Sequence, residues 1–311
     1  MNTKLNPMEC MNRLMVPDGV LRMVLDTDTY NEVDDQFALM YALASPERLN
    51  VEAVYAAPFL NDRSISPADG MEKSYQEIVR LLAMVREDPV KPHDFDLPVL
   101  RGSDRYLPDA GTPVNSEAAR DLVERAMSSS SFDPLYVVSL GAITNIASAI
   151  LMQPEIIRRI VVVWLGGHVH HWPDTREFNL VQDIPAAQVV FDSGVPLIQI
   201  PAMNVASHLL TSIYELDACI GGQNQVCDAL IEIFRSYHDD HFAWSKEIWD
   251  ISAIATLVLP EAVETVLVHS PILTNEGTWS FDQKRHWIRV AHSLRRNPIF
   301  QDLFTRLKSF Y

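Results

Sequence analysis

The chain reads as an α/β protein built on an open, mostly parallel central sheet flanked by helices. Three observations point there. Apolar runs of strand length alternate with amphipathic stretches of helix length along the whole sequence. Several strand runs, such as "IVVVWL" at 160–165, are rich in Val, Ile and Leu without polar alternation, which suits strands buried on both faces. No internal repeat, low-complexity tract or Gly/Ser linker divides the 311 residues. One domain is therefore expected, with its core at about 20–311 and residues 1–19 as an N-terminal extension.

The apolar runs place strands at 21–28 (LRMVLDTD), 51–57 (VEAVYAA), 136–140 (YVVSL), 160–165, 196–200 (PLIQI), 265–268 (TVLV) and 287–292 (WIRVAH). Between them, helical periodicity predicts helices at 35–44, 72–85, 117–127, 145–152, 185–192, 225–238, 251–258 and 298–308. Composition is that of an ordinary soluble protein, with 48% hydrophobic and 21% charged residues. The net charge of −16 argues against nucleic acid as a partner, because phosphate binding needs a basic face. It suits a small-molecule enzyme that binds a cation. No run of about eighteen apolar residues predicts a membrane span. The first nineteen residues lack the apolar stretch of a signal peptide. Cys10, Cys219 and Cys227 show no metal-binding spacing and suit a reducing compartment, which points to the cytoplasm.

In open α/β sheets, ligands bind beyond the carboxyl ends of the strands. Four segments there stand out: "DTDTYNEVDD" after the first strand, "SLGAITN" at 139–145, "GGHVHHWPDTREFN" at 166–179, and "WD" at 249–250, which opens a helix. The first gathers Asp26, Asp28, Glu32, Asp34 and Asp35. A helix N-terminus favours nearby acids by only about 0.3–1 kcal/mol each. Two unit charges 4 Å apart repel by roughly 4 kcal/mol at an effective dielectric of about 20. Either some acids are protonated, or a cation sits among them, and all-oxygen ligands select Mg²⁺ or Ca²⁺ over zinc. The "HVHH" run lacks further ligands for a tetrahedral zinc site.

Two metal-dependent classes share an Asp-x-Asp after an apolar strand. "VLDTDT" is similar to the opening of haloacid-dehalogenase-type phosphatases, which use Mg²⁺, but the lysine and late acidic pair of that class are missing. "DTDTYNEVDDQFAL" resembles the D-x-D-P-G-x-D-D opening of the inosine-uridine-preferring nucleoside hydrolases, with the Pro-Gly turn replaced and two residues added. Further on, "SLGAITNIASAI", "LGG…EFN…DIPAAQVVFDSGVPL" and "WDISAIATLVLP" resemble that family's later motifs in the same order, out to about Pro260. The resemblance implies the nucleoside hydrolase fold with its Rossmann-like core, Ca²⁺ as cofactor, and hydrolysis of the N-glycosidic bond of a nucleoside or other riboside. It also implies a homo-oligomer, dimer or tetramer.

Carried over residue by residue, the resemblance makes Asp28, Asp35, Asp250 and the Leu140 carbonyl the metal ligands. Asp28 becomes the general base and Asp26 a support behind the ligands. Asp34 would hold the ribose diol, and Glu177 and Asn179 other hydroxyls. The sequence also departs from the family. Trp249 stands where many members place a His before the late Asp, and an indole cannot deliver a proton under ordinary conditions. Tyr237, His238 and His241 are the nearest candidates in sequence for activating the leaving group, with His168, His170 and His171 as others. Phe59 occupies the place of a substrate-binding Asn, with Asn61 close behind. The Asn before E-F-N is also absent, and His171 falls near its position. These changes open a third expectation, a member of the fold that binds a sugar or nucleoside without turning it over.

Overall fold

The structure, a computed structural model, describes residues 5–86, 97–130 and 132–309. Its strands are β1 Leu21–Thr27, β2 Leu49–Ala56, β3 Val99–Arg101, β4 Leu135–Ser139, β5 Ile160–Leu165, β6 Leu197–Ile200, β7 Leu210–Thr211, β8 Lys246–Glu247, β9 Val263–His269, β10 Ile272–Leu273, β11 Trp279–Ser280 and β12 Trp287–Leu294. Its helices are α1 Pro7–Arg13, α2 Asp34–Leu43, α3 Pro67–Arg86, α4 Glu117–Ser128, α5 Thr144–Met152, α6 Phe178–Gln182, α7 Ile184–Ser193, α8 Ile213–Ile220, α9 Gln225–Ser236, α10 Ile251–Val258 and α11 Arg296–Ser309.

Eight strands form one sheet in the order β3-β2-β1-β4-β5-β6-β12-β9. Every neighbouring pair is parallel except β12 with β9. Side chains alternate between two cores, as a strand's twofold period requires. Met23 and Leu25 of β1 join α2, α3, α9 and α10 on one face, while Val24 joins α4, α5 and α7 on the other. All of β4 and β5 is buried, which explains why their sequences do not alternate.

The expected extension is not a bare tail. An Asn6–Glu9 capping box starts α1. Cys10 and Leu14 bury against the core, and the Cys10 thiol donates to the Trp287 carbonyl at 3.3 Å. Residues 1–4 of that extension lie outside the described residues. The two-stranded pairings β7–β8 and β10–β11 sit apart from the main sheet.

The order places the centre of chemistry. The chain leaves β1 for α2 on one face and leaves β4, its neighbour, for α5 on the other. Two strands whose connections diverge leave a crevice at their carboxyl ends. Asp28 follows β1 there, and Leu140-Gly141 follows β4.

Candidate active site

The floor of the crevice is built from the end of β1. Asp26 faces the α5 side and pairs in register with Ser139. Its Oδ1 accepts from Asn145 Nδ2 at 2.7 Å and its Oδ2 from Ser139 Oγ at 3.1 Å. Burial pushes its carboxyl up to about 7, against the pull of those two bonds. Thr27 Oγ1 donates to Asp35. Asp28 differs from both: its two carboxylate oxygens are buried and have no hydrogen-bond partner. Gly141 permits the approach of the β4 turn, since a Cβ there would lie 2.9 Å from Asp28 Cγ.

Two helix N-termini meet at this point. Asp34 and Asp35 open α2, and Asp250 is the N-cap residue of α10, which packs against α2. Carboxylate oxygens of Asp34, Asp35 and Asp250 lie within 4.8 Å of one another, and all three residues are buried. Burial first, and then the neighbouring acids, raises Asp28, Asp34 and Asp250 well above the usual carboxylate range. Asp35 rises to about 6, because burial outweighs the bonds it accepts from Thr27 and Asp250. The Leu140 carbonyl accepts from Asn179 Nδ2 at 2.7 Å, and a carbonyl oxygen has a second lone pair to offer. Oxygen-only donors, buried together around a carboxylate with no hydrogen bonds, fit a hard divalent cation.

Above this floor lies a cavity of about 240 Å³. It brings together Asp28, Asp34, Asp35, Leu140, Glu177, Asn179, Trp249 and Asp250 from the sequence reading. Glu177 caps α6 and accepts from the amides of Gly167, Asn179 and Leu180 at 2.8, 2.9 and 3.0 Å. Those bonds lower its carboxyl while burial raises it more, to about 7. Asn179 Nδ2 also donates to the Leu165 carbonyl at 3.0 Å, which turns its Oδ1 into the group left for a ligand. Glu32 is paired with the buried Lys246. Burial works against that ammonium, but Asp34 and Glu32 together hold its pKa above the ordinary value.

Other expected residues lie elsewhere. His238 is exposed, with Nδ1 2.7 Å from the Asp240 carbonyl and its ring stacked on Trp244 at 4.8 Å. His241 Nε2 meets the Arg235 carbonyl at 3.1 Å, and its ring also packs on Trp244. Neither lines the cavity, because the chain folds back around Trp244 before β8 returns it to the site. Tyr237 lines a neighbouring depression, under Lys246 at 4.8 Å, and His171 is exposed on its turn. Asn61 stands one step back, its Nδ2 donating to Asn31 Oδ1 at 2.6 Å, and Asn31 is what faces the cavity. Phe59, at the place of the missing Asn, is fully buried. His170 pairs with Gln199 at 2.8 Å and does not line the cavity, whereas His168 does. Arg176, Phe178 and Met203 also line it, without having been assigned a role from sequence. Arg176 carried one signal, a base directly before the E-F-N motif. Met203 carried none.

A model of the family described as inosine-uridine preferring nucleoside hydrolase matches residues 23–299. The chain belongs to this family. Among relatives of this nucleoside hydrolase is the pyrimidine-specific ribonucleoside hydrolase RihA of Salmonella paratyphi A. It is 29% identical over 269 residues, covering 79% of this chain and 82% of that protein. The purine-preferring ribonucleoside hydrolase of Gardnerella vaginalis has the same fold, with a TM-score of 0.74 at 19% identity over 93% of this chain and 98% of its own. So does the inosine-uridine preferring nucleoside hydrolase of Bacillus anthracis, with a TM-score of 0.67 at 15% identity over 93% and 99%. The phosphatase alternative finds no support: an Asp-x-Asp at the end of a first strand is common to both classes, and the match of nearly the whole chain is to the hydrolases. The family is metal-dependent, and the buried acids suit that requirement.

Proposed function

We propose that this nucleoside hydrolase cleaves the N-glycosidic bond of a ribonucleoside or related N-riboside, with Ca²⁺ held at the acid cluster. The observation that carries the reading is Asp28, whose two buried oxygens have no hydrogen bond, at a strand switch point among three further buried carboxylates. Asp28, Asp35, Asp250 and the Leu140 carbonyl are the residues that would hold the ion. When bound, Ca²⁺ supplies Lewis acidity and a fixed positive charge that orients water and sugar.

The chain's own residues do the rest. Asp28 takes the proton of a water as it attacks C1′. Asp34 accepts from a ribose hydroxyl, and Glu177 and the Asn179 Oδ1 flank the other hydroxyls. Their charges and dipoles favour the oxocarbenium-like sugar that develops as the base departs. Asp26 keeps the strand end in place through Asn145 and Ser139. Trp249 and Phe178 line the cavity and are the aromatic rings available to stack on a planar base. The named relatives differ in base preference, so the base is to be read from assay. Three free thiols, Cys10 and Cys227 among them buried, support the cytoplasmic reading. The dimer or tetramer implied by the family is tested by light scattering.

The test is ribose release from purine, pyrimidine and nicotinamide ribosides, with Ca²⁺ and then with chelator. Release that stops on chelation and returns with Ca²⁺ is expected. Tight ribose or nucleoside binding with no release from any riboside would replace the hydrolase reading with a binding protein.

A further inference from the structure

Cleaving an N-glycosidic bond leaves an electron pair on the base nitrogen, and something must receive that charge. Trp249 has no basic nitrogen. Tyr237, His238, His241 and His171 lie outside the cavity. Among the described residues lining it, basic nitrogens come from His168 and Arg176 alone. Both sit on the loop from β5 to α6, whereas most of the cavity's acids come from the ends of β1, α2 and α10.

That loop is constructed to present them. The His168 amide donates to Thr175 Oγ1 at 2.8 Å, closing the loop on itself. The His168 ring packs on Trp172 at 5.0 Å, and its Nδ1 is buried without a partner. Burial lowers its pKa against the pull of Asp174, which favours the neutral ring, and a neutral imidazole still has one N–H to donate. Arg176 is braced by the turn between β10 and β11. Its Nε donates to the Glu276 carbonyl at 3.3 Å, and Gly277, at φ +71, leaves room for its stem, since a Cβ there would sit 3.1 Å from Arg176 Cγ. Its backbone amide is held by Asp174 Oδ1 at 3.1 Å. Arg176 lines this acidic cavity at its solvent-exposed side, and among the described residues it makes no salt bridge. An arginine held by its stem with its terminal N–H groups unspent is suited to a planar acceptor edge.

We propose that Arg176, together with His168, forms the leaving-group pole of this cavity and selects bases that present carbonyl acceptors. The proposal rests on the ribohydrolase reading and specifies how that reaction is completed without a histidine at 249. The C1′–N bond breaks with its electron pair going to the base nitrogen. The N–H groups of Arg176 and His168 hold the resulting anion by hydrogen bonds, and no proton leaves them. The water's oxygen bonds to C1′ and its proton goes to Asp28. The base takes a proton from solvent after it departs.

The test compares uridine and inosine with p-nitrophenyl riboside, whose phenolate departs without help. Arg176→Gln is expected to lower kcat on the nucleosides by about 10²-fold and to change the p-nitrophenyl riboside rate less than about threefold. Arg176→Lys should recover part of the loss, and His168→Gln should fall the same way by a smaller factor. The retained rate on the activated riboside is also the control for folding. Equal losses on both substrates would make Arg176 a structural residue and overturn the proposal, as would unchanged rates on both. A wild-type enzyme that cleaves the activated riboside and no nucleoside would overturn it too. A wild-type that cleaves neither removes the hydrolase reading itself, and the proposal with it.

Discussion

Both carboxylate oxygens of Asp28 are buried without a hydrogen bond, and Asp35, Asp34, Asp26 and Glu32 all act against its charge. Without a cation, that arrangement opposes folding. Asp28→Asn keeps the shape and removes the charge, so in chelator it should be more stable than wild type by about 1–3 kcal/mol. With saturating Ca²⁺ the order should reverse, because wild type gains a ligand the variant lacks. Thermal unfolding of both proteins in both conditions reads the crossing, and an unchanged order would remove Asp28 from the metal site. Asp35→Ala and Asp250→Ala should each lose stoichiometric Ca²⁺ by equilibrium dialysis, and retention by both would refute the assigned ligand set. The acids were legible in the sequence because strand ends and helix starts are where charge has a use. The leaving-group residues were not. Proximity in sequence to Asp250 favoured His238 and His241, but the chain turns through Trp244 in between. Arg176 stood beside Glu177 in plain view, and only the fold shows that it faces the same cavity.

At the scale of elements, Asn145 joins what the strands leave separate. From the start of α5 its Nδ2 donates to Asp26 on β1, and its Oδ1 accepts from the amide and hydroxyl of Ser103, both at 2.8 Å. Asn145→Ala would leave Asp26 with only its Ser139 bond and the buried Ser103 amide without its acceptor, each loss costing about 1–3 kcal/mol. A loss of roughly 2–4 kcal/mol by urea unfolding is expected. Because Asp26 anchors the strand that carries Asp28, Ca²⁺ affinity should also fall, by about 10–100-fold as for other residues that orient ligands. Lost stability with unchanged affinity would separate the clamp from the site. Continuous apolar runs were legible: 160–165 and 251–258 end in the structure where the sequence places them. Short ones were not. β3 has three residues and α6 five, too few to show a period, and α6 is started by Glu177 rather than by its own propensity. α1 and α8 were missed because α1 buries only Cys10 and α8 only Ile213, Leu216 and Ile220, so neither shows the continuous apolar run that marks α10. The breaks at β7–β8 explain why no strand was visible before Trp249.

For the whole molecule, the acid cluster ties together parts of the chain that are far apart in sequence. Asp28 and Asp35 enter near its start, Leu140 near its middle, and Asp250 more than 200 residues after Asp28. A cation bound by all four exists only in the folded state, so its binding energy adds to folding as RT ln(1 + [L]/Kd). At a free Ca²⁺ concentration of about 100 Kd that amounts to roughly 2.7 kcal/mol. Unfolding entropy of about 2.1 cal/mol/K per residue gives a chain of this length roughly 0.65 kcal/mol/K, so the shift in Tm is about 4 °C. Chelation should therefore lower Tm by about that much, and each tenfold rise in free Ca²⁺ above Kd should raise it by about 2 °C. Mg²⁺ at equal concentration should do less, since it demands a tighter octahedron and sheds its waters reluctantly. Were Tm indifferent to both ions, the acids would have to be neutralised by shared protons and by Lys246 alone. Ribose release would then survive the chelator that the reading above expects to stop it.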